Sequence, residues 1–358
     1  MSNAVRRALV VGPTGAIGKA LVAAMRRAGG WTVYGLSRGA PPSGAQFDHL
    51  AADLMDRDSV AAALAGAEPI THLFYAARAA HGEGGIEDVA SNVAMLANVV
   101  EAAAARSSEL RHVHLVEGTK WYGVHLGPHR TPSSEDDPRH LPPNFYYDQE
   151  DALVALARRQ RWSWSACRPT VVCEFDPSRA RNLTAILAAY AAICREFGAP
   201  LDFPGTRAGY ESLNEVTDAG HLADAILWLS TRESGTNQAF NITNGDAFRW
   251  RHMWPRLATM LGLACGEPRD IRLADWMKDK GPVWERIVGR EGLVPQPLEA
   301  TALWAFGDFV FRQDWDVLSN LTRLRRTGFA GSIDSAEMFA RQFTQYRAAR
   351  LMPTVRDA

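Results

Sequence analysis

A short apolar run followed by three evenly spaced glycines constrains the fold more than any other feature of the sequence. Residues 9–11 form the run, and Gly12, Gly15 and Gly18 follow it as Gly-x-x-Gly-x-x-Gly. An uninterrupted apolar run is typical of a parallel strand that is covered on both faces. Gly12 allows a tight exit from that strand, Gly15 lets a pyrophosphate approach backbone N–H groups, and Gly18 lets the next helix pack on the sheet.

The residues after the first glycines carry a helical stripe, because Ile17, Leu21 and Met25 recur at intervals of four positions. The glycines therefore lie at a helix N-terminus, where backbone N–H groups and the helix dipole favour an anion. A strand before the turn and a helix after it favour dinucleotide binding over a purely structural corner. The glycine spacing resembles that of the extended short-chain dehydrogenase/reductase group of Rossmann proteins.

Strand-like and helix-like segments alternate along the first half of the chain. This alternation predicts βαβ units, right-handed crossovers and a Rossmann-type α/β fold with a doubly wound parallel sheet. A loop rich in Gly, Pro, His and Asp covers residues 121–143, and a helix follows Asn144 as its N-cap. Further strands are predicted at residues 31–37, 46–51, 71–76, 112–117 and 162–167, and helices at residues 59–64 and 88–105.

Beyond about residue 175 the alternation weakens and helical stretches dominate. We expect a nucleotide-binding Rossmann domain at residues 1–175, to which later segments return, and mainly a substrate-binding lobe at residues 176–358. An aromatic core for this smaller, mainly helical C-terminal lobe explains the late tryptophans better than a recognition surface does. These are Trp250, Trp254, Trp276, Trp284, Trp304 and Trp315.

The composition argues against several classes of protein. The 358 residues carry a formal net charge of -1 at pH 7, so no basic surplus points to nucleic acid or to an anionic membrane surface. The most apolar late run, residues 183–194, is too short to span a bilayer. Four cysteines without a Cys-x-x-Cys pair fit buried free thiols in a reducing compartment. With no targeting segment before the first strand, we expect a cytoplasmic protein.

Two histidines on one predicted strand are the nearest approach to a metal site. His112 and His114 share a face of that strand, but no third ligand accompanies them, so we expect no metal. The acidic run at residues 134–137 is typical of a solvated loop.

A cation follows the second predicted strand. Ser37 and Arg38 stand where Rossmann proteins place the residue that recognises the adenosine ribose. An acidic residue there binds the 2′-OH of NAD, whereas a basic one accommodates the 2′-phosphate of NADP. Because neither Asp nor Glu ends this strand, the sequence favours NADPH/NADP⁺ over NADH/NAD⁺.

Two further segments carry candidate catalytic side chains. Lys120 follows the fifth strand, at the sheet edge where doubly wound proteins bind ligands. Tyr146 and Tyr147 open the helix behind the long loop, where a phenol can hydrogen-bond a carbonyl oxygen. Its pKa, about 10 when free, must fall for it to stabilise an oxyanion near neutral pH, and a nearby cation would lower it. Short-chain reductases place a lysine four residues after the tyrosine, but Glu150 and Asp151 occupy those positions.

The motifs around these residues resemble the progesterone 5β-reductase/iridoid synthase family of atypical extended short-chain reductases. In that family the lysine lies on the strand-end loop before the tyrosine helix, so the resemblance implies that Lys120 and Tyr146 are the catalytic pair. The match covers nearly the whole chain. It comprises Gly118-Thr119-Lys120-x-Tyr122, Leu126-Gly127-Pro128, Asn144-Phe145-Tyr146-Tyr147-x-x-Glu150-Asp151, Arg168-Pro169, Phe175, Pro177, Asn182 and residues 239–246, 282–285 and 306–308.

The resemblance implies an NADPH-dependent reductase of the activated C=C bond of α,β-unsaturated carbonyl compounds. Tyr146, assisted by Lys120, would stabilise the enolate oxygen. Two alternatives share the scaffold, a carbonyl (1,2) reductase and an NAD(P)-dependent sugar-nucleotide epimerase or dehydratase, and a third is a non-catalytic NADP sensor. The missing Tyr-x-x-x-Lys pattern counts against the epimerase, and the intact Lys120 and Tyr146 count against the sensor.

The same resemblance implies the contacts of the cofactor and of a small-molecule enone. Departures from the family pattern at Trp121, His129 and Glu174 lie near the expected substrate mouth, and we expect the first two to line it. No nucleic-acid or membrane partner is expected, and a homodimer is compatible with the sequence. The implied cofactor-binding residues are Gly12, Thr14, Gly15, Ala16, Ile17, Gly18, Ser37, Arg38, Asp53, Leu54, Ala77, Lys120, Tyr146 and Val172.

Overall fold

Seven parallel strands form one central sheet. The structure is a computed structural model that describes residues 6–80 and 87–355. Numbered in chain order, and including those outside the central sheet, the strands are β1 Arg6–Val11, β2 Trp31–Ser37, β3 Asp48–Ala51, β4 His72–Tyr75, β5 His112–Val116, β6 Ser163–Pro169, β7 Val171–Cys173, β8 Leu201–Phe203, β9 Leu213–Asn214, β10 Val216–Asp218, β11 Gln238–Ile242, β12 Phe248–Arg249 and β13 Cys265–Pro268. The central sheet has the order β11-β6-β5-β4-β1-β2-β3, and the other strands pair two by two.

Helices cover both faces of the sheet and build the second lobe. The first four follow strands of the sheet, as the alternation in the sequence predicts. In chain order the helices are α1 Ala16–Ala28, α2 Arg57–Ala65, α3 Val89–Arg106, α4 Phe145–Ala157, α5 Leu183–Glu196, α6 Arg207–Glu211, α7 Ala219–Ser230, α8 Trp250–Leu261, α9 Leu273–Trp276, α10 Gly281–Glu291, α11 Leu298–Thr301, α12 Trp304–Phe311, α13 Thr322–Arg326 and α14 Ser335–Ala348.

The first strand shows why its run is apolar throughout. Leu9 and Val11 belong to the core beneath α2 and α3, whereas Ala8 and Val10 pack with α1 and α7 on the opposite face. Successive side chains of a strand point to opposite faces, so a strand covered on both sides needs apolar residues at every position. The predicted Rossmann-type doubly wound sheet is confirmed, with strand ends that differ from the predicted ones by a few residues.

The later chain contributes to both lobes. Strand β11 pairs with β6 in the central sheet, and α7 packs against the same face as α1. The remaining helices enclose a separate core in which Trp250, Trp254 and Trp284 are buried. Trp276, by contrast, is 56% exposed, so it lies outside the aromatic core predicted for this lobe.

The strand order reverses between β1 and β4. The chain first adds β2 and β3 on one side of β1 and then places β4 on the other side, so the carboxyl ends of β1 and β4 border a crevice where such sheets bind ligands. Gly12 lies there with a φ of +79°, and a Cβ on it would come within 3.2 Å of the Ala76 carbonyl oxygen. A Cβ on Gly18 would lie 2.1 Å from the carbonyl oxygen of Gly12, so close packing requires both glycines.

The two strand histidines and most of the cysteines discussed in the sequence analysis are buried, with surroundings typical of structural residues. His112 is buried and meets the hydroxyls of Ser163 and Ser165 at 2.8 Å, and burial lowers the pKa of His114 to about 3. Cys265 is exposed, unlike the other three cysteines, because it lies on a short peripheral strand. The described residues contain no group of three or more His, Cys, Asp or Glu placed to hold a metal ion. Within residues 6–80 and 87–355, no helix has the length and apolar character needed to cross a membrane.

Candidate active site

A cavity of about 370 Å³ opens at the carboxyl edge of the sheet, with walls from both lobes. The glycine turn, the ends of β4, β5 and β6 and strand β7 form one side. Helix α12 and the segment between α5 and β7 form part of the other side. The predicted site residues that line it are Gly15, Ala16, Ile17, Ala77, Lys120, Tyr146 and Val172.

The glycine turn presents backbone to this cavity. Gly15 is the N-cap of α1, no side chain caps that helix, and its first turn has no acidic residue. A Cβ on Gly15 would lie 3.7 Å from Nη1 of Arg179. The turn therefore combines a helix N-terminus with an arginine beside it, which is a favourable setting for an anionic pyrophosphate.

Arg179 lines the cavity, although the sequence did not predict it as a site residue. Of this segment, the sequence indicated only Glu174, as a departure from the family pattern. The Nε of Arg179 lies 3.4 Å from Glu174 Oε1. Burial raises the pKa of Glu174 to about 7, although the charges of Arg179 and Lys19 oppose the rise. Two arginines follow Pro177, at positions 179 and 181, and this pair is the sequence signal that could have indicated this wall.

The residues predicted for the adenosine end lie at the same edge of the sheet but outside the cavity. Arg38 is exposed directly after β2. Ser37 Oγ lies 3.1 Å from His49 Nε2, and Asp53 Oδ1 accepts a hydrogen bond from the backbone N–H of Met55 at 3.0 Å. Leu54 is buried. The ends of β2 and β3 adjoin the glycine turn, so these residues continue one surface away from the cavity.

Tyr146 and Lys120 face the cavity from two adjacent segments. A Cβ on Gly118 would lie 3.2 Å from the Tyr146 hydroxyl and 3.5 Å from the Pro169 carbonyl oxygen, so the phenol rests against the backbone at the end of β5. Lys120 follows in the 3₁₀ turn Thr119–Tyr122. Its Nζ donates to Glu87 Oε1 at 2.9 Å.

Glu87 also holds the start of the tyrosine helix, because its Oε2 accepts a hydrogen bond from the Phe145 N–H at 3.2 Å. Asn144 makes a second link. Its Oδ1 accepts from the Tyr146 N–H at 3.2 Å, and its Nδ2 donates to the Lys120 carbonyl oxygen at 3.0 Å. The displaced lysine and the tyrosine helix are thus fixed to each other.

The pKa of Tyr146 is raised, which differs from the lowering expected in the sequence. Burial is the main cause, and the carboxylates Glu117 and Glu87 raise it further. The guanidinium groups of Arg78 and Arg181 act in the opposite direction. Burial and the two carboxylates therefore keep the phenol protonated at neutral pH, and its hydroxyl is available as a hydrogen-bond donor.

The position four residues after Tyr146 serves a different purpose from that in ordinary short-chain reductases. Glu150 Oε2 accepts from Arg168 Nη2 at 2.9 Å, and Glu117 Oε2 accepts from Arg168 Nε at 2.8 Å. The guanidinium carbon lies 3.5 Å from the ring centroid of Trp121. A lysine at position 150 would face a buried arginine, so the cation of the site lies elsewhere.

Two residues predicted to line the substrate mouth lie outside the cavity wall. Trp121 is buried beneath Arg168, which makes its ring a support for the buried arginine. His129 lies on the long loop, and its Nδ1 is buried. Val124, on the same long loop, does line the cavity wall.

Comparison with known proteins agrees with this architecture. Residues 50–353 match the model of the PRISE-like Rossmann-fold domain. The chain belongs to this family. Among PRISE-like relatives, (S)-8-oxocitronellyl enol synthase ISY2 of Nepeta racemosa is 35% identical over 97% of this chain and 91% of its own length. The 3-oxo-Δ4,5-steroid 5-β-reductase of Arabidopsis thaliana is 32% identical over 97% and 93%. The predicted family and the predicted class, an oxidoreductase of the short-chain dehydrogenase/reductase superfamily, are confirmed.

Solved structures share the fold of this PRISE-like chain. A putative epimerase from Burkholderia cenocepacia has a TM-score of 0.68 and 20% identity, covering 96% of this chain and 99% of its own. The UDP-glucose 4-epimerase of Thermus thermophilus, solved with NAD, has a TM-score of 0.66 and 17% identity, with coverage of 96% and 99%. At such identities the likeness shows the fold alone.

Proposed function

We propose that this protein is an NADPH-dependent reductase of the activated C=C bond of α,β-unsaturated carbonyl compounds. The observation that carries the proposal is the protonated Tyr146 hydroxyl in a cavity that the glycine turn and Lys120 also line. One relative is named for the 5β-reduction of a 3-oxo-Δ4,5 steroid, which is a cyclic enone. The other named activity, an enol synthase, fits a site that stabilises an enol or enolate oxygen.

The residues at the sheet edge fit a dinucleotide. The pyrophosphate would lie on Thr14, Ala16 and Ile17, where a side chain at Gly15 would fill the space. Arg38, with Ser37, would hold the 2′-phosphate, and among the described residues its guanidinium has no ion pair that would compete. The rest of the cofactor would meet Asp53 and Leu54 at the adenine, Ala77 at the ribose and Val172 at the carboxamide. When bound, the reduced nicotinamide supplies the hydride.

Tyr146 would act on the carbonyl oxygen of the substrate. As hydride adds to the β-carbon, the electrons of the C=C bond move toward the carbonyl, and the oxygen becomes an enolate. A buried phenol that donates a hydrogen bond stabilises this charge where it develops. Lys120 lines the same cavity, with its ammonium paired to Glu87, and would assist by orienting this end of the site. A proton from solvent then completes the α-carbon and gives the saturated ketone.

The raised pKa of Tyr146 favours this reaction over that of an epimerase. An epimerase begins by removing a proton from a substrate hydroxyl, and its tyrosine must be ionised to act as the base. Burial and two nearby carboxylates oppose that ionisation here. Hydrogen-bond donation to an enolate needs only the neutral phenol, which this environment maintains.

The proposal is tested by NADPH oxidation and product analysis with 2-cyclohexenone. We expect cyclohexanone as the product, and we expect Tyr146→Phe to lower kcat/KM by roughly 100- to 1000-fold, as when one oxyanion donor is removed. The neighbouring Tyr147 is a matched control, since its hydroxyl donates to the Trp121 carbonyl oxygen at 2.5 Å and is not part of the cavity wall. Tyr147→Phe should retain most of the activity. Full turnover by Tyr146→Phe, or 2-cyclohexenol as the product, would contradict the proposal.

A further inference from the structure

Two arginines on the segment between β7 and α5 face the cavity, but they meet different surroundings. Arg179 lies beside Gly15 of the glycine turn and pairs with Glu174. The segment is fastened to the first turn of α1, because Lys19 Nζ donates to Asp176 Oδ2 at 2.7 Å. Arg179 is therefore placed toward the pyrophosphate end of the cavity.

Arg181 lies toward the opposite, reacting end. Its guanidinium carbon is 4.5 Å from the ring centroid of Phe306 on α12, and its positive charge lowers the pKa of Tyr146. Throughout the described part of the chain, it has neither an ion pair nor a hydrogen bond. The surrounding protein lowers the pKa of Arg181, and the charges of Arg78 and Arg179 lower it further. Arg181 is exposed at the edge of the cavity that it lines, so its unpaired guanidinium can bind an anion that enters there.

The carboxylates of the cavity wall do not supply that anion. Each of them has another partner at hydrogen-bond or ion-pair distance. Glu117 accepts from Arg168 at 2.8 Å, Glu174 lies 3.4 Å from Arg179, and Glu215 accepts from the Ser319 hydroxyl at 2.6 Å. Glu87, beside the cavity, forms an ion pair with Lys120.

We propose that the enone substrate carries a carboxylate, which Arg181 binds while the carbonyl oxygen of the substrate meets Tyr146. This inference rests on the proposed function. A guanidinium stacked on an aromatic ring keeps the N–H groups of its edge free, and their fork matches the two oxygens of a carboxylate. The substrate would then be fixed at two points, its anionic end at Arg181 and its reacting end between Tyr146 and the nicotinamide.

The test uses two probes of nearly equal shape and different charge, (4-oxocyclohex-2-en-1-yl)acetate and the corresponding acetamide. Their charged or neutral group is not conjugated with the enone, so the intrinsic reactivity is similar. We expect the wild-type enzyme with NADPH to prefer the carboxylate at least tenfold in kcat/KM, about 1.4 kcal/mol. Arg181→Met should reduce this ratio to about one, and Arg181→Lys should retain part of the preference.

Arg232 offers a matched control, because its guanidinium also stacks on an aromatic ring, 3.4 Å from the centroid of Trp228, but away from the cavity. Arg232→Met should keep the wild-type ratio. Equal use of both probes by the wild-type enzyme, or an unchanged ratio in Arg181→Met, would overturn the inference. So would a loss of NADPH affinity in Arg181→Met without a change in the ratio, since Arg181 would then bind the cofactor.

A binding measurement separates this inference from the proposed function. The saturated (4-oxocyclohexyl)acetate needs no reduction to bind, and calorimetry with the NADP⁺-loaded protein should show it binding more tightly than its amide. If neither enone is reduced but the saturated acid binds through Arg181, the proposed reaction fails and the anion site stands. If cyclohexenone is reduced but acid and amide bind equally, the reaction stands and the anion site is refuted.

Discussion

At the scale of single residues, the charge at the reacting end of the cavity depends on Glu87. Its carboxylate neutralises the Lys120 ammonium at 2.9 Å and raises the pKa of Tyr146. The lysine therefore contributes less to the acidity of the phenol than its position in the family motif implies. This agrees with a tyrosine that donates a hydrogen bond and keeps its proton.

Glu215 provides a prediction about stability and pH. Burial raises its pKa from 4.5 to about 7, against the hydrogen bond from Ser319. Between these two values the folded chain holds a proton that the unfolded chain releases, so this group lowers the free energy of unfolding as the pH rises from 4.5 through 7. The wild-type free energy of unfolding should fall between pH 5 and pH 8, and Glu215→Gln should remove up to about 3 kcal/mol of that decrease.

Urea unfolding of both proteins at pH 5 and pH 8 measures this difference. The exposed Glu285 gives the control variant Glu285→Gln, which should follow the wild-type curve. A Glu215→Gln protein that loses as much stability as the wild type between the two pH values would show that Glu215 is ionised at no cost in the folded state.

At the scale of secondary-structure elements, the start of α4 is the element that sets the site. Asn144 caps this helix through the Tyr146 N–H and also holds the Lys120 carbonyl oxygen. Asn144→Ala should cost about 1 kcal/mol of stability as a lost N-cap. Because it also releases the two candidate catalytic segments from each other, it should lower kcat more than that loss of stability explains.

Asp334 is a matched control, since it caps α14 through the N–H groups of Ala336 and Glu337 and is not among the residues that line the cavity. Asp334→Ala should show a similar loss of stability in thermal unfolding with little change in kcat. Equal kcat values for the two variants would mean that Asn144 has no positioning role.

The elements themselves were largely predictable from the sequence. The apolar run of β1, the cap at Asn144 and the glycine spacing are local signals, and each fixes conformation within a few residues. The third strand begins at Asp48, two residues after the predicted start, because strand ends depend on pairing with β2. The packing of Trp121 and the placement of Arg179 depend on contacts formed only in the folded chain.

At the scale of the whole molecule, the buried Arg168 joins the sheet to α4 and to the long loop. It donates to Glu117, Glu150 and the Glu135 carbonyl oxygen. Removing one partner of a buried charge pair leaves the other uncompensated, so Arg168→Met should destabilise the fold by about 3–5 kcal/mol. The double variant Arg168→Met with Glu117→Gln should recover part of this loss, as measured by urea unfolding. No recovery in the double variant would mean that lost packing, and not the stranded Glu117 charge, causes the destabilisation.

Interactions between distant parts of the chain were the ones that the sequence could not reveal. Lys120 and Glu87 are 33 residues apart, and Arg181 meets Phe306 across the cavity. Such pairs are set by how the two lobes pack, for which periodicity carries no signal. The family motif named Tyr146 and Lys120, but it did not indicate the charges that surround them.

The proposed reaction is tested most directly by following the hydride. Reduction of 2-cyclohexenone with NADPH that carries deuterium at both C4 positions of the nicotinamide should give cyclohexanone with deuterium at C3, the former β-carbon, as read by NMR. Deuterium on the carbinol carbon of 2-cyclohexenol, or a reduced product without deuterium, would contradict hydride addition to the activated alkene.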